Sequence, residues 1–256
     1  MLRNFARGCW RLGQPFRQRR LREWPKTFRL LFRFLSERRS FHACGGEAAF
    51  DQLSPALFDR GASTQTGGGH YFFQDIWALS HLHALRPACH YDVGSRIDGF
   101  AGQATAVCPI VYVDIRRPPF ELPRFEFREG SILQLPFADE SISSLSCLHV
   151  VEHIGLGRYG DAIDPQGTEK ALRELQRVLA ESGQLLFSMP IGRERIEFNT
   201  QRIWNPLKPI ELFSDLRLLE FCAVNDRGEF VPSATPDLFA DARYSCGLYR
   251  FTRTAK

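Results

Sequence analysis

The chain has 256 residues, 44% hydrophobic and 24% charged, which is enough to bury a sizeable core in one domain with an appendage or in two small domains. No apolar stretch is long enough to span a bilayer, so the sequence reads as a soluble protein. The net charge of +4 is unevenly spread: residues 1–40 hold twelve Lys/Arg against two acids, which leaves residues 41–256 at −6, and such a body argues against nucleic acid as a partner and for an enzyme of small or neutral substrates.

Residues 1–24 read as a mobile Arg-rich arm, with Gly8, Gly13 and Pro15 interrupting any long helix. From Pro25 a helix is expected, because Phe28, Leu31, Phe32 and Leu35 recur at helical spacing while Arg29, Arg33, Arg38 and Arg39 fill the other faces. Two readings stay open for it: a surface helix on an anionic membrane or partner, and a helix whose apolar stripe packs on the domain. Residues 41–69 are loop-rich, so residues 1–69 form a basic extension and linker and residues 70–256 the main domain.

Tyr71 to Leu85 reads as a helix ahead of the first strand. Its aromatic residues are expected in the core, with the roof of a ligand cleft as the alternative, and His81 and His83 point to different faces, so surface or satisfied core histidines are expected rather than a metal pair. The seven cysteines are scattered without a C-x-x-C pair, as thiols in a reducing cytoplasm would be.

The stretch His90-Tyr91-Asp92-Val93-Gly94-Ser95-Arg96-Ile97-Asp98-Gly99-Phe100 reads as a strand, a glycine turn and a short helical segment. A second apolar strand, Ile110 to Val113, stops at Asp114, 22 residues after Asp92. That is the βαβ geometry of a nucleotide-like ligand site, with an acid at the distance of a ribose contact. Phe125 to Phe127 follows as a third strand and Ser143 to Leu148 as a fourth. A helix from Asp164-Pro165 to Leu179, ended by Gly183, leads to a fifth strand from Gln184 to Pro190. Leu216 to Cys222 and Gly247 to Thr252 are strands with no clear helix between them, so an antiparallel pair closes the sheet.

Three landmarks carry a resemblance. They are the Asp92-Val93-Gly94 turn, then Leu135-Pro136-Phe137-x-Asp139-x-Ser141 with Ser146-x-x-His149-Val150-x-Glu152-His153, then Glu174-x-x-Arg177-Val178-Leu179 with Gly183 and Ser188-Met189-Pro190. In this order they resemble the class I S-adenosylmethionine-dependent methyltransferases. Asp92 to Phe100, Phe198-Asn199-x-x-Arg202-Ile203 and Cys246-Gly247-Leu248-Tyr249 resemble more closely the "domain of unknown function 268" (DUF268) group of methyltransferase-like proteins. The resemblance implies a Rossmann-like α/β fold with seven strands, mostly parallel with an antiparallel C-terminal strand, and helices on both faces.

It also implies S-adenosylmethionine as cofactor. Asp92, Gly94 and Ser95 would face its methionine end and Asp114 its ribose, with Ile115, Ser131 and Ile132 around the adenine and His149 at the tip of the fourth strand. Arg96 and Asp98 stand where the family pattern has glycines, and Ser131 where it often has an acid. His149, Glu152 and His153 would form the proton-transfer set, and Asn199 and Arg202 would hold the acceptor, a small molecule or glycan. No metal is expected. The protein would work in the cytoplasm, with residues 1–40 as its contact to an anionic membrane surface.

Two rival readings remain. A methyltransferase-shaped protein can serve as a catalytically inactive binding or scaffold module. His149-x-x-Glu152-His153 is also the inverted zinc-peptidase signature, whose chemistry requires both histidines on one helix.

Overall fold

A computed structural model of the chain describes residues 2–17, 23–58 and 68–254. The chain divides into two compact units, Met1–Thr66 and Gly67–Lys256. In the first, α1 spans Leu2–Arg17 and α2 spans Trp24–Ala43. The expected interruption of the arm does not occur over Leu2–Arg17, where glycine and proline lower helix propensity without removing the hydrogen bonds of the other residues. Arg11 fastens this helix by donating to the Leu53 carbonyl (3.3 Å), and Phe16 packs on Phe28 of α2 with ring centroids 4.6 Å apart. Residues 18–22 of the arm and 59–67 of the linker lie outside the described residues.

The second unit begins with α3 (Gly69–Leu85) and β1 (His90–Val93). A π-helical turn at Ile97–Ala101 and the short α4 (Gly102–Ala104) connect β1 to β2 (Ile110–Asp114). Then come β3 (Phe125–Glu129), β4 (Ile142–Leu148), α5 (Gly167–Val178) and β5 (Leu179–Ile191). A hairpin of β6 (Arg195–Glu197) and β7 (Gln201–Ile203) stands apart from the main sheet. The chain closes with α6 (Lys208–Leu212), β8 (Leu216–Val224), β9 (Phe230–Val231) and β10 (Ser245–Arg253).

The sheet order is β3-β2-β1-β4-β5-β10-β8-β9, with β1 to β5 parallel and β10 antiparallel to both its neighbours. It is a Rossmann-like α/β sheet with an antiparallel strand at the C-terminal end. The two-residue β9, paired with β8, makes eight strands where the sequence reading has seven. The fifth strand also starts earlier than Gly183, because Leu179 pairs with Ile142 across a register shift and ends the helix at Val178.

Period-two alternation divides the strand side chains between two cores. Leu185, Phe187 and Met189 of β5 and Tyr249 and Phe251 of β10 meet Leu172 and Leu175 of α5 on one face. Leu186, Cys222, Cys246 and Leu248 meet Trp77 and Leu82 of α3 and Phe100 on the other. Fully burying a side chain such as Phe187 stabilises by about 1.5–3 kcal/mol, so helices on both faces follow from a sheet apolar on both sides. This leaves the C-terminal ends of β1, β2 and β4 on one edge, where ligands bind in open α/β sheets.

Candidate functional site

That edge holds a cavity of about 780 Å³. Gly94, Ser95, Asp114, Ile115, Ser131, Ile132, His149 and His153 line it, so eight residues separated by up to 59 positions meet at one place. Asp92 and Asp114 stand on adjacent strands in register, Asp92 opposite Tyr112 and Val113 beside Val93.

Gly94 turns the chain with φ +71°, a left-handed backbone that favours glycine, and a Cβ there would come within 3.0 Å of Val150 Cγ1. The turn is tied down by Asp92. The sequence reading has Asp92 facing the cofactor, but its side chain lies wholly buried beneath the turn. Its Oδ1 accepts from the Ser95 N–H (3.1 Å), and its Oδ2 accepts from the Ser95 hydroxyl (2.6 Å) and the Ser146 hydroxyl. Ser95 Oγ accepts in turn from the Leu148 N–H at 3.0 Å, which links the turn to β4. Burial pushes the Asp92 carboxyl up to about 6 against these hydrogen bonds. Behind it, burial pushes His90 down to about 3, and the neutral ring bridges Ser144 and Ser146 at 2.7 and 2.8 Å.

Arg96 and Asp98 line the cavity at its rim. Arg96 makes a two-pronged ion pair with Asp98 (3.0 and 2.8 Å) and lies 4.8 Å from the Tyr71 ring centroid, half exposed. Gly99 and Gly102 also stand where a Cβ would crowd, against Asp75 Oδ2 and the Ile97 carbonyl at 2.5 Å each. Asp114 accepts from the Arg116 N–H at 2.9 Å and from the Tyr112 hydroxyl at 3.3 Å, which fixes the carboxylate toward the cavity while leaving acceptor capacity. Ile115 is 51% exposed and Ile132 8%, so the two present very different amounts of apolar surface. Ser131 Oγ accepts from the Leu133 N–H (3.2 Å).

His149 ends β4 with φ +56°, held by its N–H donating to the Ser188 carbonyl and hydroxyl at 3.1 Å each. Its Nδ1 is 2.8 Å from Glu152 Oε1, with the two side chains 3% and 1% exposed. Burial works against a charged imidazole here, but the Cys246 sulfur and the Glu152 carboxylate outweigh it and hold His149 well above the usual histidine range. The shift runs toward the protonated ring, opposite to the neutral general base expected at this position.

His153 is the opposite case. Burial pushes it below the usual histidine range, more than Glu152 restores, with Nε2 3.7 Å from Glu152 Oε1. Its Nδ1 lies 2.6 Å from the Thr200 carbonyl, so that nitrogen carries the proton and Nε2 keeps its lone pair. Glu152 does not line the cavity; it lies behind both rings.

Asn199 and Arg202, expected to hold an acceptor, do not line the cavity. Arg202 is 2% exposed, and its guanidinium donates to the carbonyls of Ile154 (2.6 Å), Asp164 and Pro165 (3.3 Å each). Asn199 Nδ2 donates to the Leu156 carbonyl at 3.3 Å. Both brace the loop after β4, which carries Tyr159 and Asp161 to the cavity. Gly155, Gly157 and Gly160, all at positive φ, let that loop fold back. These glycines were the available sign of a structured loop there, and the sequence reading passed over them. Tyr71 also lines the cavity rather than the core, whereas Trp77 and Phe73 pack inside as expected.

The inverted zinc-peptidase geometry is missing from this segment. His149 sits at a strand tip and His153 in a single 3₁₀ turn, Val151–His153, rather than on one helix.

Comparison with known proteins follows the same lines. The family model described as "Caenorhabditis protein of unknown function, DUF268" matches residues 131–228. No curated protein matches the chain. Among solved structures, the [4+2]-cyclase SpnF is similar with TM-score 0.54 at 13% identity, over 75% of this chain and 86% of that one. Geranyl diphosphate methyltransferase in complex with SAM is similar with TM-score 0.52 at 12% identity, over 71% and 85%. At such identities the likeness is one of fold, and the two neighbours are named for different reactions. The sheet order and the cavity at its edge agree with that shared fold, and residues 131–228 match the DUF268 family model.

Proposed function

We propose that the cavity binds S-adenosylmethionine and that the chain transfers its methyl group to an oxygen or nitrogen of a small or glycan-related acceptor. The observation that carries this is the pairing, across one cavity, of the Gly94 turn and Asp114 with His149 and His153. S-adenosylmethionine, when bound, supplies a methyl carbon made electrophilic by its sulfonium. Asp114 receives the ribose hydroxyls on its spare lone pairs, Ile115 and Ile132 enclose the adenine, and Ser131 offers a hydroxyl at its edge. Gly94 gives close approach to backbone, which Asp92 and Ser95 hold in shape from below.

His153 takes the acceptor's proton on Nε2, because its Nδ1 is committed to Thr200. His149, held protonated by Glu152, donates rather than accepts, and orients an electron-rich acceptor. Asn199 and Arg202 act at one remove, by shaping the loop that closes the acceptor side.

A second reading is favoured by Arg96 and Asp98 in place of glycines: a methyltransferase-fold binding module without transfer. Calorimetry and labelled transfer separate the two. Asp114→Ala should weaken S-adenosylmethionine binding by about 1.5–3 kcal/mol. Absence of binding by the unaltered protein would overturn the cofactor assignment. Binding without transfer of label to any component of a cell extract would favour the binding module. For residues 1–40 we propose a peripheral role at an anionic membrane surface, with the protein in the cytoplasm.

A further inference from the structure

Beside the cavity three ligand-type side chains converge from different elements: His70 in the first turn of α3, His149 at the tip of β4 and Cys246 at the start of β10. One donor atom of each lies within 4.8 Å of the other two. Cys246 is fully buried, His149 is 8% exposed, and His70 is half-buried, which leaves an ion a way in.

A thiol and two imidazoles can also be plain core neighbours. Two observations point to a ligand instead. His149 Nε2 is buried and interacts with the Cys246 sulfur rather than with any oxygen or nitrogen partner, and Glu152 Oε2 close by is buried with no hydrogen-bond partner. Moreover, each imidazole is already oriented by a neighbour: His149 through Nδ1 by Glu152 at 2.8 Å, and His70 by a hydrogen bond to the Tyr244 main chain. Carboxylate and carbonyl partners of this kind orient the histidines of metal centres.

We propose that His70, His149 and Cys246 bind a divalent cation of the zinc class, with Glu152 as the carboxylate that orients His149. Two imidazoles and a thiolate are the donor set for zinc rather than for magnesium or calcium. Tetrahedral zinc would bring the donor atoms to about 3.3–3.6 Å apart, so the set must tighten by roughly 1 Å. His70 supplies that movement. It now lies parallel to His149 (5.4 Å, 5°), and it must turn out of that stack, and His149 must release its Nε2 proton, for the two lone pairs to converge on the ion. Three protein ligands leave a fourth position, and since His149 lines the cavity, that position is one where an anionic oxygen or sulfur of an acceptor can bind. This inference stands on the ligand geometry and not on the methyl-transfer reading.

The test is a Co2+ titration of the chelator-treated full chain, read by absorbance. One equivalent should bind with tetrahedral ligand-field bands and a thiolate-to-metal charge-transfer band. Cys246→Ser should abolish the charge-transfer band, whereas Cys9→Ser and Cys44→Ser, which remove the exposed thiols, should leave it unchanged. Glu152→Gln should weaken Co2+ binding by about 10–100-fold, and the half-buried His70→Ala, the variant least disturbing to the core, by at least as much. Absence of the thiolate band, its survival in Cys246→Ser, or unchanged Co2+ affinity in His70→Ala overturns the site. S-adenosylmethionine binding, measured calorimetrically on the same samples, reports on the other reading separately.

Discussion

Glu152 Oε1 lies 2.8 Å from His149 Nδ1, and neither side chain is more than 3% exposed. The same oxygen is 3.7 Å from His153 Nε2, so one carboxylate faces two histidines whose affinities for a proton are driven in opposite directions. Unequal environments of this kind divide acid and base roles between like groups.

His149 should titrate well above an ordinary histidine in nitrogen-detected NMR of chelator-treated protein, while His153 titrates below one. Because the folded value for His149 is raised, its contribution to stability is complete below the unfolded value of about 6.5 and is lost as pH rises through the folded one. Glu152→Ala should cost about 3–5 kcal/mol in urea unfolding at pH 6, and less at high pH where His149 is neutral. An ordinary titration of His149 would remove the imidazolium from the site.

Asp92 should give stability a second pH dependence. Burial raises its folded pKa to about 6 from an ordinary value of 3.8, so the stability it contributes is full below about pH 4 and declines as pH rises through 6. The loss amounts to about 3 kcal/mol for a shift of two units. Asp92→Asn, which keeps the shape of the protonated acid, should be flatter between pH 4 and 7 in urea unfolding. A variant with the same slope as the unaltered protein would mean that Asp92 is charged without penalty.

Arg202→Ala should loosen the loop after β4. Three main-chain carbonyls lose a charged donor, at a cost of at least about 1.5–3 kcal/mol. Amide exchange should rise across residues 154–165 and stay unchanged in β1 and β2. If acceptor affinity falls while exchange in the loop does not change, Arg202 touches the acceptor directly and its placement under the loop is wrong.

The N-terminal unit offers a salt-dependent prediction. Phe28 and Phe32 on α2 are 47% and 71% exposed, amid basic residues that match an anionic surface. The full chain should bind vesicles containing phosphatidylserine more tightly at low salt than at high salt, and deletion of residues 1–40 should abolish binding with no change in the melting of the remainder. Aggregation of the truncated chain would assign the apolar stripe to protein packing.

Strand and helix periodicities made the architecture legible in the sequence. The alternation from Tyr71 to Pro190 gave parallel strands joined by helices, and the two strands without a helix between them gave the antiparallel end, because burial on both faces of a sheet leaves its mark on every second residue. Asp114, Gly94, His149 and His153 could likewise be placed at one sheet edge, since they end or follow predicted strands. Side-chain direction was not legible. Asp92 and Arg202 have the residue types of a binding site, yet both are turned inward, where buried hydroxyls and main-chain carbonyls satisfy them. The convergence of His70 with Cys246, 176 positions away, depends on β10 inserting between β5 and β8, and no local pattern encodes that neighbour. The proton balance between His149 and His153 also needed the tertiary structure, because it depends on how near one buried carboxylate lies to each ring.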